Sequence, residues 1–168
     1  MSAARNEKIP DWLVNGYLKQ KDLQSPSQEE LAKGALAVIE CPQRIPCNPC
    51  SENCPVGAIT MDDINGFPEI DYDSCIGCSV CVENCPGLAI FMVDCSSKEG
   101  CEITIPYEFH LPKVGEEVEG LNRKGEKVTK AEVTKVKTKE QSSGDTSTVT
   151  VKVPEEYAHE VRNIRRIQ

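Results

Sequence analysis

Two copies of one cysteine-rich unit, residues 47–61 and 78–92, lie 31 residues apart in this chain of 168 residues. When the copies are aligned, three cysteines, a Glu-Asn pair, a proline, an Ala-Ile pair and a methionine coincide. A constant offset over that many positions indicates a duplicated structural unit. In each copy we expect the cysteines to precede a short helix and the apolar residues at the end to form a short strand. The fold must therefore be built around two related halves.

The cysteine spacing indicates what the two halves bind. From Cys75 to Pro86 the chain reads C-x2-C-x2-C-x3-C-P. Three closely spaced thiolates can surround one face of a cubane iron–sulfur cluster, and the fourth ligand then comes from the other copy. Structural zinc is the main alternative, but zinc sites usually combine two separate C-x2-C pairs. Haem attachment requires a histidine directly after C-x2-C, and neither copy has one.

Residues 37–95 resemble a bacterial two-cluster (2 × 4Fe-4S) ferredoxin. The resemblance implies two 4Fe-4S clusters as cofactors, each held by three cysteines of one region and a fourth from the other copy. Carried over position by position, it assigns one cluster to each of two cysteine groups, and it assigns no catalytic residue. Group 1 consists of Cys41, Cys47, Cys50 and Cys85 (cluster 1), and group 2 consists of Cys75, Cys78, Cys81 and Cys54 (cluster 2).

Cys41 departs from the family pattern. The position 31 residues before Cys75 holds Arg44, and Cys41 is the available substitute. Five residues separate Cys41 from Cys47 where the pattern has two. A three-residue insertion, stiffened by Pro42 and Pro46, would let Cys41 keep its role. If Cys41 does not reach, cluster 1 would be a three-iron cluster or would use a ligand other than cysteine.

We expect an α+β fold in three parts. These are an N-terminal helical arm (residues 1–36), a two-cluster ferredoxin domain (residues 37–105) and a small β-rich docking domain (residues 106–168). The arm has too few apolar residues for a core of its own, so it must pack on the ferredoxin domain or on a partner.

Several local signals refine this division. Ser27 and Glu30 resemble a capping box at the start of a helix that continues to Leu36. Asn65-Gly66 predicts a tight hairpin turn. In the C-terminal part, a slip in the strand alternation between residues 133 and 136 predicts a β-bulge, and a short helix is expected from residue 154 to about 162.

Four further residues with reactive or titratable side chains lie outside the two groups. Cys95 and Cys101 flank the turn of a predicted hairpin, and the family pattern gives them no role. We favour free buried thiols, with a cross-strand disulfide or an extra metal ligand as alternatives. His110 and His159 are not part of any catalytic pattern, so we interpret both as structural.

The charge distribution narrows the choice of partners. The chain carries a net charge of −8, and residues 41–94 contain eight carboxylates but only one basic residue, Arg44. An acidic surface of this kind argues against nucleic acid binding. No apolar stretch is long enough for a membrane span, and no secretory signal is visible, so we expect a cytoplasmic protein whose cysteines bind metal rather than form a disulfide framework. Carboxylates near a cluster also disfavour an added electron, which predicts potentials on the order of −400 mV.

These features predict electron transfer without a substrate site, since no nucleotide or flavin fingerprint G-x-G-x-x-G occurs. Residues 38–50 and the β-rich tail resemble the small ferredoxin-type subunits of FAD-dependent amine, imino-acid or glycerol-phosphate dehydrogenases of anaerobes. This resemblance implies a flavoprotein (FAD) partner in a hetero-oligomer. Two alternatives remain open: a free soluble ferredoxin that docks transiently on basic partners, and a non-redox role in which the clusters only stabilise the fold.

Overall fold

The computed structural model of the protein describes residues 10–167, so the first nine residues of the expected arm lie outside the described residues. Four short α-helices and nine strands follow one another within residues 10–167. The helices are α1 (Asp11–Asn15), α2 (Gln28–Leu31), α3 (Pro49–Glu52) and α4 (Val80–Asn84). The strands are β1 (Leu36–Ile39), β2 (Ile59–Thr60), β3 (Glu69–Ile70), β4 (Ile90–Asp94), β5 (Cys101–Pro106), β6 (Glu117–Leu121), β7 (Lys127–Lys137), β8 (Thr148–Val153) and β9 (Asn163–Arg166).

A seven-stranded antiparallel sheet dominates the fold, in the order β1-β4-β5-β8-β7-β6-β9, and β2 pairs with β3 in a separate two-stranded sheet. The expected α+β class is therefore confirmed. The sheet runs without a break from the cysteine-rich region into the C-terminal residues, because all six residues of β5 pair with β8.

The strand register preserves the internal repeat. In the large sheet Ile39 pairs with Ile90, and in the small sheet Ile70 pairs with Ile59. Adding 31 to Ile39 gives Ile70, and adding 31 to Ile59 gives Ile90, so the two pairs are equivalent. The duplicated unit therefore includes the strand that precedes each cysteine loop, which extends the repeat beyond the residues that the sequence comparison aligned.

The described residues form two apolar cores. The first is formed by the large sheet and includes Val93, Ile103 and Val151, all fully buried. Alternating valines in β8 supply much of it, as expected for a strand that buries one face more completely than the other. The second core surrounds the cysteines of α3 and α4 and includes Val82 and Ile90. The cysteines of both groups are thus backed by packed apolar side chains.

The N-terminal helices are shorter than expected. The capping box is confirmed, since Ser27 N–H and Oγ donate to Glu30 while Glu30 N–H donates to Ser27 Oγ. However, α2 ends at Leu31, and Leu36 begins β1 rather than continuing the helix. Gly34, at φ +155°, lies in this break, where its backbone conformation stops the helix. Leu31 is fully buried in the first core, so this part of the arm packs on the large sheet.

In the C-terminal part, the β-bulge is confirmed by a register shift between Val133 and Lys135 in the β7–β8 pair. The helix expected from residue 154 to about 162 is wrong. Only one turn of 3-10 helix, Glu155–Tyr157, forms there, and the chain then enters β9. Strand β6 pairs with β7 along one edge, and pairing with β9 along the other edge satisfies the backbone hydrogen-bonding groups that would otherwise be free.

A disulfide joins Cys95 and Cys101 across the β4–β5 hairpin. The interpretation of these two cysteines as free thiols is therefore wrong, and the cross-strand alternative holds. The hairpin itself provides the reason, because the antiparallel pairing of β4 and β5 up to Asp94 and Glu102 brings the next two residues, beside the turn, face to face. The other eight cysteines, those of groups 1 and 2, are free thiols.

Candidate metal centres

The four thiols of group 1 line a single cavity. Cys41 follows β1, Cys50 lies in α3, and Cys85 follows α4. Apolar side chains complete the wall, among them Ile45, Met61, Pro68 and Ile90. A cavity with thiols on several sides and an apolar lining has the donor set and the dry surroundings that a four-iron cluster requires.

Cys41 joins this group without an insertion. Ile39 precedes Cys47 by eight positions, and its repeat equivalent Ile70 precedes Cys78 by the same eight. The two loops are equally long, so the expected three-residue insertion is wrong. Cys41 simply occupies an earlier place in its loop than Cys75 does. Arg44, at the place equivalent to Cys75, is exposed and lies over the ring of Phe67 at 4.7 Å.

Group 2 forms a second set of neighbouring thiols. The pKa of Cys81 is raised to about 12, first by burial and then by the nearby sulfurs of Cys75, Cys78 and Cys54. Gly77 holds this loop against the start of β1, with φ +67°. A Cβ at Gly77 would lie 2.6 Å from the carbonyl oxygen of Ala35, so only glycine allows this close approach.

Three of the thiols, Cys41, Cys50 and Cys81, resist ionisation in the absence of a cation. Burial, together with the neighbouring Cys85 and Cys47, raises the pKa of Cys50 to about 11. Burial, with the same two neighbours, also raises the pKa of Cys41. Thiolates are the ligands of iron, and a positively charged group is what would allow such thiols to deprotonate. The buried donor set therefore fits an iron–sulfur cluster.

Cys54 lies in a different environment, inside a cradle of backbone amides. Burial alone would raise its pKa, but hydrogen bonds from the backbone of Ile59, Val56, Ala58 and Gly57 lower it overall. The repeat reproduces part of this cradle, because Ala89 N–H, equivalent to that of Ala58, donates to Cys85 Sγ at 3.4 Å. Such N–H···S bonds stabilise negative charge on the sulfur and are one means of tuning a cluster potential. The two exchanged cysteines, Cys54 and Cys85, thus share one type of support.

The two groups differ in their access to solvent. Cys78 is exposed, and its neighbour Ile76 has 62% of its surface accessible. Cys50 and Cys85 of group 1 are buried, as is Cys81 of group 2. The loop that carries Cys78 therefore brings group 2 to the surface.

Glu83, in α4 between two cysteines, anchors the C-terminal part to this region. Its side chain accepts hydrogen bonds from Lys137 Nζ at 2.6 Å and from Ser143 N–H at 2.6 Å. Burial alone would raise the pKa of Glu83, but these bonds hold it below its usual value. The repeat equivalent, Glu52, is exposed and contacts only its neighbour Asn48 among the hydrogen bonds of the described residues. The C-terminal part thus covers one copy and leaves the other open.

A buried ion triad, formed by Glu40, Arg123 and Arg162, lies directly before Cys41. Glu40 accepts from Arg162 Nε at 2.6 Å and from Arg123 Nη2 at 2.6 Å and Nε at 2.8 Å. Burial alone would raise the pKa of Glu40, but the two guanidinium groups lower it overall. His159 is half-buried beside the triad, where burial and the charge of Arg162 lower its pKa.

Sequence reasoning missed this triad. Glu40 carries a weak signal, since a charged residue follows directly after the apolar residues of β1. Arg123 and Arg162 carry none, because 83 and 122 residues separate them from Glu40.

Residues 43–89 match the family model of a 4Fe-4S dicluster domain. The chain therefore contains an iron–sulfur domain of the ferredoxin type, and the match supports 4Fe-4S binding and electron transfer. Cys41 lies just outside the matched residues. Comparisons with curated proteins and with solved structures found no match.

Two features are absent from the described part of the chain, a three-ligand site for a single metal ion and a membrane-spanning helix. Within residues 10–167, no three Cys, His, Asp or Glu side chains are arranged to hold one metal ion. In the same part of the chain, none of the helices is long and apolar enough to cross a membrane.

Proposed function

We propose that the protein holds two 4Fe-4S clusters and transfers electrons as the ferredoxin-type subunit of a flavin-dependent dehydrogenase complex in the cytoplasm, without a substrate site of its own. The observation that carries the proposal is the sorting of eight free thiols into two neighbouring sets. Each set combines three cysteines from one loop region with one from the other copy, as a two-cluster ferredoxin requires.

A bound 4Fe-4S cluster accepts one electron and returns it, with little change in its bonds. The chain supplies the ligands, the apolar surroundings and the hydrogen-bond donors. Cys41, Cys47, Cys50 and Cys85 would hold one cluster, and Cys54, Cys75, Cys78 and Cys81 the other. The apolar wall around group 1 excludes water, and the amides around Cys54 offset negative charge. The exposed loop at Ile76 offers a short path to a partner on the group 2 side.

The first prediction concerns composition. The full chain, purified without oxygen, should contain about eight iron and about eight acid-labile sulfide per chain. Chemical analysis measures the iron and the sulfide, and EPR after reduction with dithionite detects the reduced clusters. A tightly bound zinc without labile sulfide, or only four iron per chain, would contradict the two-cluster proposal.

The dehydrogenase subunit is favoured by exposed apolar side chains near group 1. Ile45, Ile64 and Phe67 are each more than a third exposed. They lie in or beside the same loops, because Cys47 N–H donates to the carbonyl of Ile64 and Ile45 lines the group 1 cavity. Apolar side chains gathered at the surface in this way are typical of a lasting protein interface.

A free ferredoxin shuttle is the second candidate, and the acidic surface favours it. Residues 41–94 carry eight carboxylates and one basic residue, which suits brief contact with basic partners. The C-terminal residues, moreover, extend the sheet rather than standing apart for docking.

Purification from the native host distinguishes these two candidates. A tagged full chain, applied to size-exclusion chromatography at moderate salt, should elute with an FAD protein in a fixed ratio if it is a complex subunit. Elution as a lone monomer that holds both clusters would contradict the subunit proposal and support the shuttle.

A further inference from the structure

We infer that Arg162, together with Arg123, raises the reduction potential of the cluster held by group 1 above that of the cluster held by group 2. The inference rests on the proposed function, because it concerns the two clusters that the function requires. It assigns a role to the buried ion triad, which the cysteine pattern does not involve.

The triad is placed beside two of the four group 1 cysteines. Glu40 is the residue before Cys41, and its backbone N–H donates to the carbonyl of Ala89 at 2.7 Å. Ala89 belongs to the turn after Cys85, and its own N–H donates to the sulfur of Cys85. Arg162 lines the same hollow as this turn and lies over the ring of Phe91 at 5.1 Å. The two guanidinium groups therefore lie against the segments that carry Cys41 and Cys85, through their hydrogen bonds to Glu40 and the hollow that they line with Ala89.

The triad retains a positive charge. Two guanidinium groups face one carboxylate, and arginine stays protonated in proteins. Arg162 is 5% exposed, and its Nη2 has no hydrogen-bond partner among the described residues. A charge so poorly screened by water acts strongly on its surroundings. Reduction adds one negative charge to a cluster, so a nearby positive charge favours the reduced form and raises the potential.

Group 2 has no equivalent of this charge within the described residues. Glu83, which follows Cys81 closely, forms a neutral pair with Lys137. In the loop before Cys75, Asp71 and Asp73 add negative charge, and the contacts of Asp71 are with uncharged groups, the Ser74 hydroxyl and the Asp73 N–H. The two copies therefore offer opposite electrostatic surroundings, and the added electron should settle on the group 1 side.

Potentiometric titration of the full chain with both clusters loaded, followed by EPR, tests the inference. In Arg162→Met, the group 1 signal should need a potential about 59 mV lower for half reduction, which is a tenfold change in the ratio of reduced to oxidised cluster. The group 2 signal should keep its midpoint. Arg165→Met is the matched control, because Arg165 lies in β9 three residues after Arg162, is exposed and pairs with Glu119. It removes the same charge and should move neither midpoint.

A charge-retaining variant separates charge from packing. Arg162→Lys should lower the group 1 midpoint potential by only a small fraction of the fall seen in Arg162→Met. An equal fall of the midpoint potential in both variants would overturn the inference. If Arg162→Met does not fold, Arg123→Met, at the more accessible edge of the triad, should lower the same midpoint. Unchanged midpoints in a variant with eight iron would refute the inference and leave the proposed function intact. Failure of the unmodified chain to load two clusters would refute the function itself.

Discussion

A chain that ends at Ile105 should fail to fold, even though it keeps all eight free cysteines. The cut removes β8, which pairs with every residue of β5, and exposes the buried side chains of Ile103 and Ile105. Each such exposure costs about 1.5–3 kcal/mol, against a typical total stability of about 5–15 kcal/mol. The cut also removes both arginines that face Glu40, so the ion triad is lost as well.

Circular dichroism, limited proteolysis and iron analysis of the chain that ends at Ile105 measure this effect. The expected result is rapid digestion and little bound iron. A matched control removes residues 1–23 from the N-terminal end instead. A chain that starts at Gln24 keeps the buried Leu31 and should remain folded, with both clusters. Retention of eight iron by the chain that ends at Ile105 would show that the C-terminal strands are dispensable for the fold.

Replacing Cys41 with Ser should remove the four-iron cluster of group 1. Cys41 lies next to Cys47 and Cys85, and no other cysteine of the chain is left to take its place. EPR of the reduced protein should show one 4Fe-4S signal in place of two. EPR of the oxidised protein should show a three-iron signal, or else iron analysis should find about four iron per chain in total. Two unchanged 4Fe-4S signals would show that Cys41 is not a ligand.

The equal loop lengths provide a sharper version of this experiment. Arg44 occupies the position equivalent to Cys75, so Arg44→Cys in the Cys41→Ser background places a thiol where the second copy has one. The double variant should recover the second 4Fe-4S signal. Arg44→Ser in the unmodified chain is the control and should keep both clusters, since Arg44 is exposed and contacts Phe67. Loss of a cluster in that control would show that the loop itself is sensitive to change.

Sequence reasoning was most successful where a pattern is local. The resemblance to two-cluster ferredoxins predicted which thiols lie together, and the structure places Cys41 with Cys47 and Cys85 accordingly. The β-bulge in β7 could be predicted because a one-residue slip in alternation moves side chains to the other face. Whether these thiols act as ligands stays a prediction, as does the division of the chain into three domains.

Other features depend on contacts that no local pattern contains. Strand β9 depends on pairing with β6, and the segment before it, which begins at Pro154, resembles the start of a helix. The length of the Cys41 loop could not be judged until the register of β1 and β3 was known. The buried ion triad combines residues from three distant segments, and each of them taken alone resembles an ordinary surface charge.

The exchange of Cys54 and Cys85 between the two copies also affects how the protein is made. As the chain leaves the ribosome, the first copy emerges with Cys41, Cys47, Cys50 and Cys54, yet only three of these belong to one proposed ligand set. Group 2 becomes complete when Cys81 emerges, and group 1 becomes complete four residues later, at Cys85. Strand β1 must likewise await β4. Neither site can therefore be filled before Cys81 has emerged, about halfway along the 168 residues, and the cellular machinery that delivers iron and sulfide would meet two sites that mature almost together.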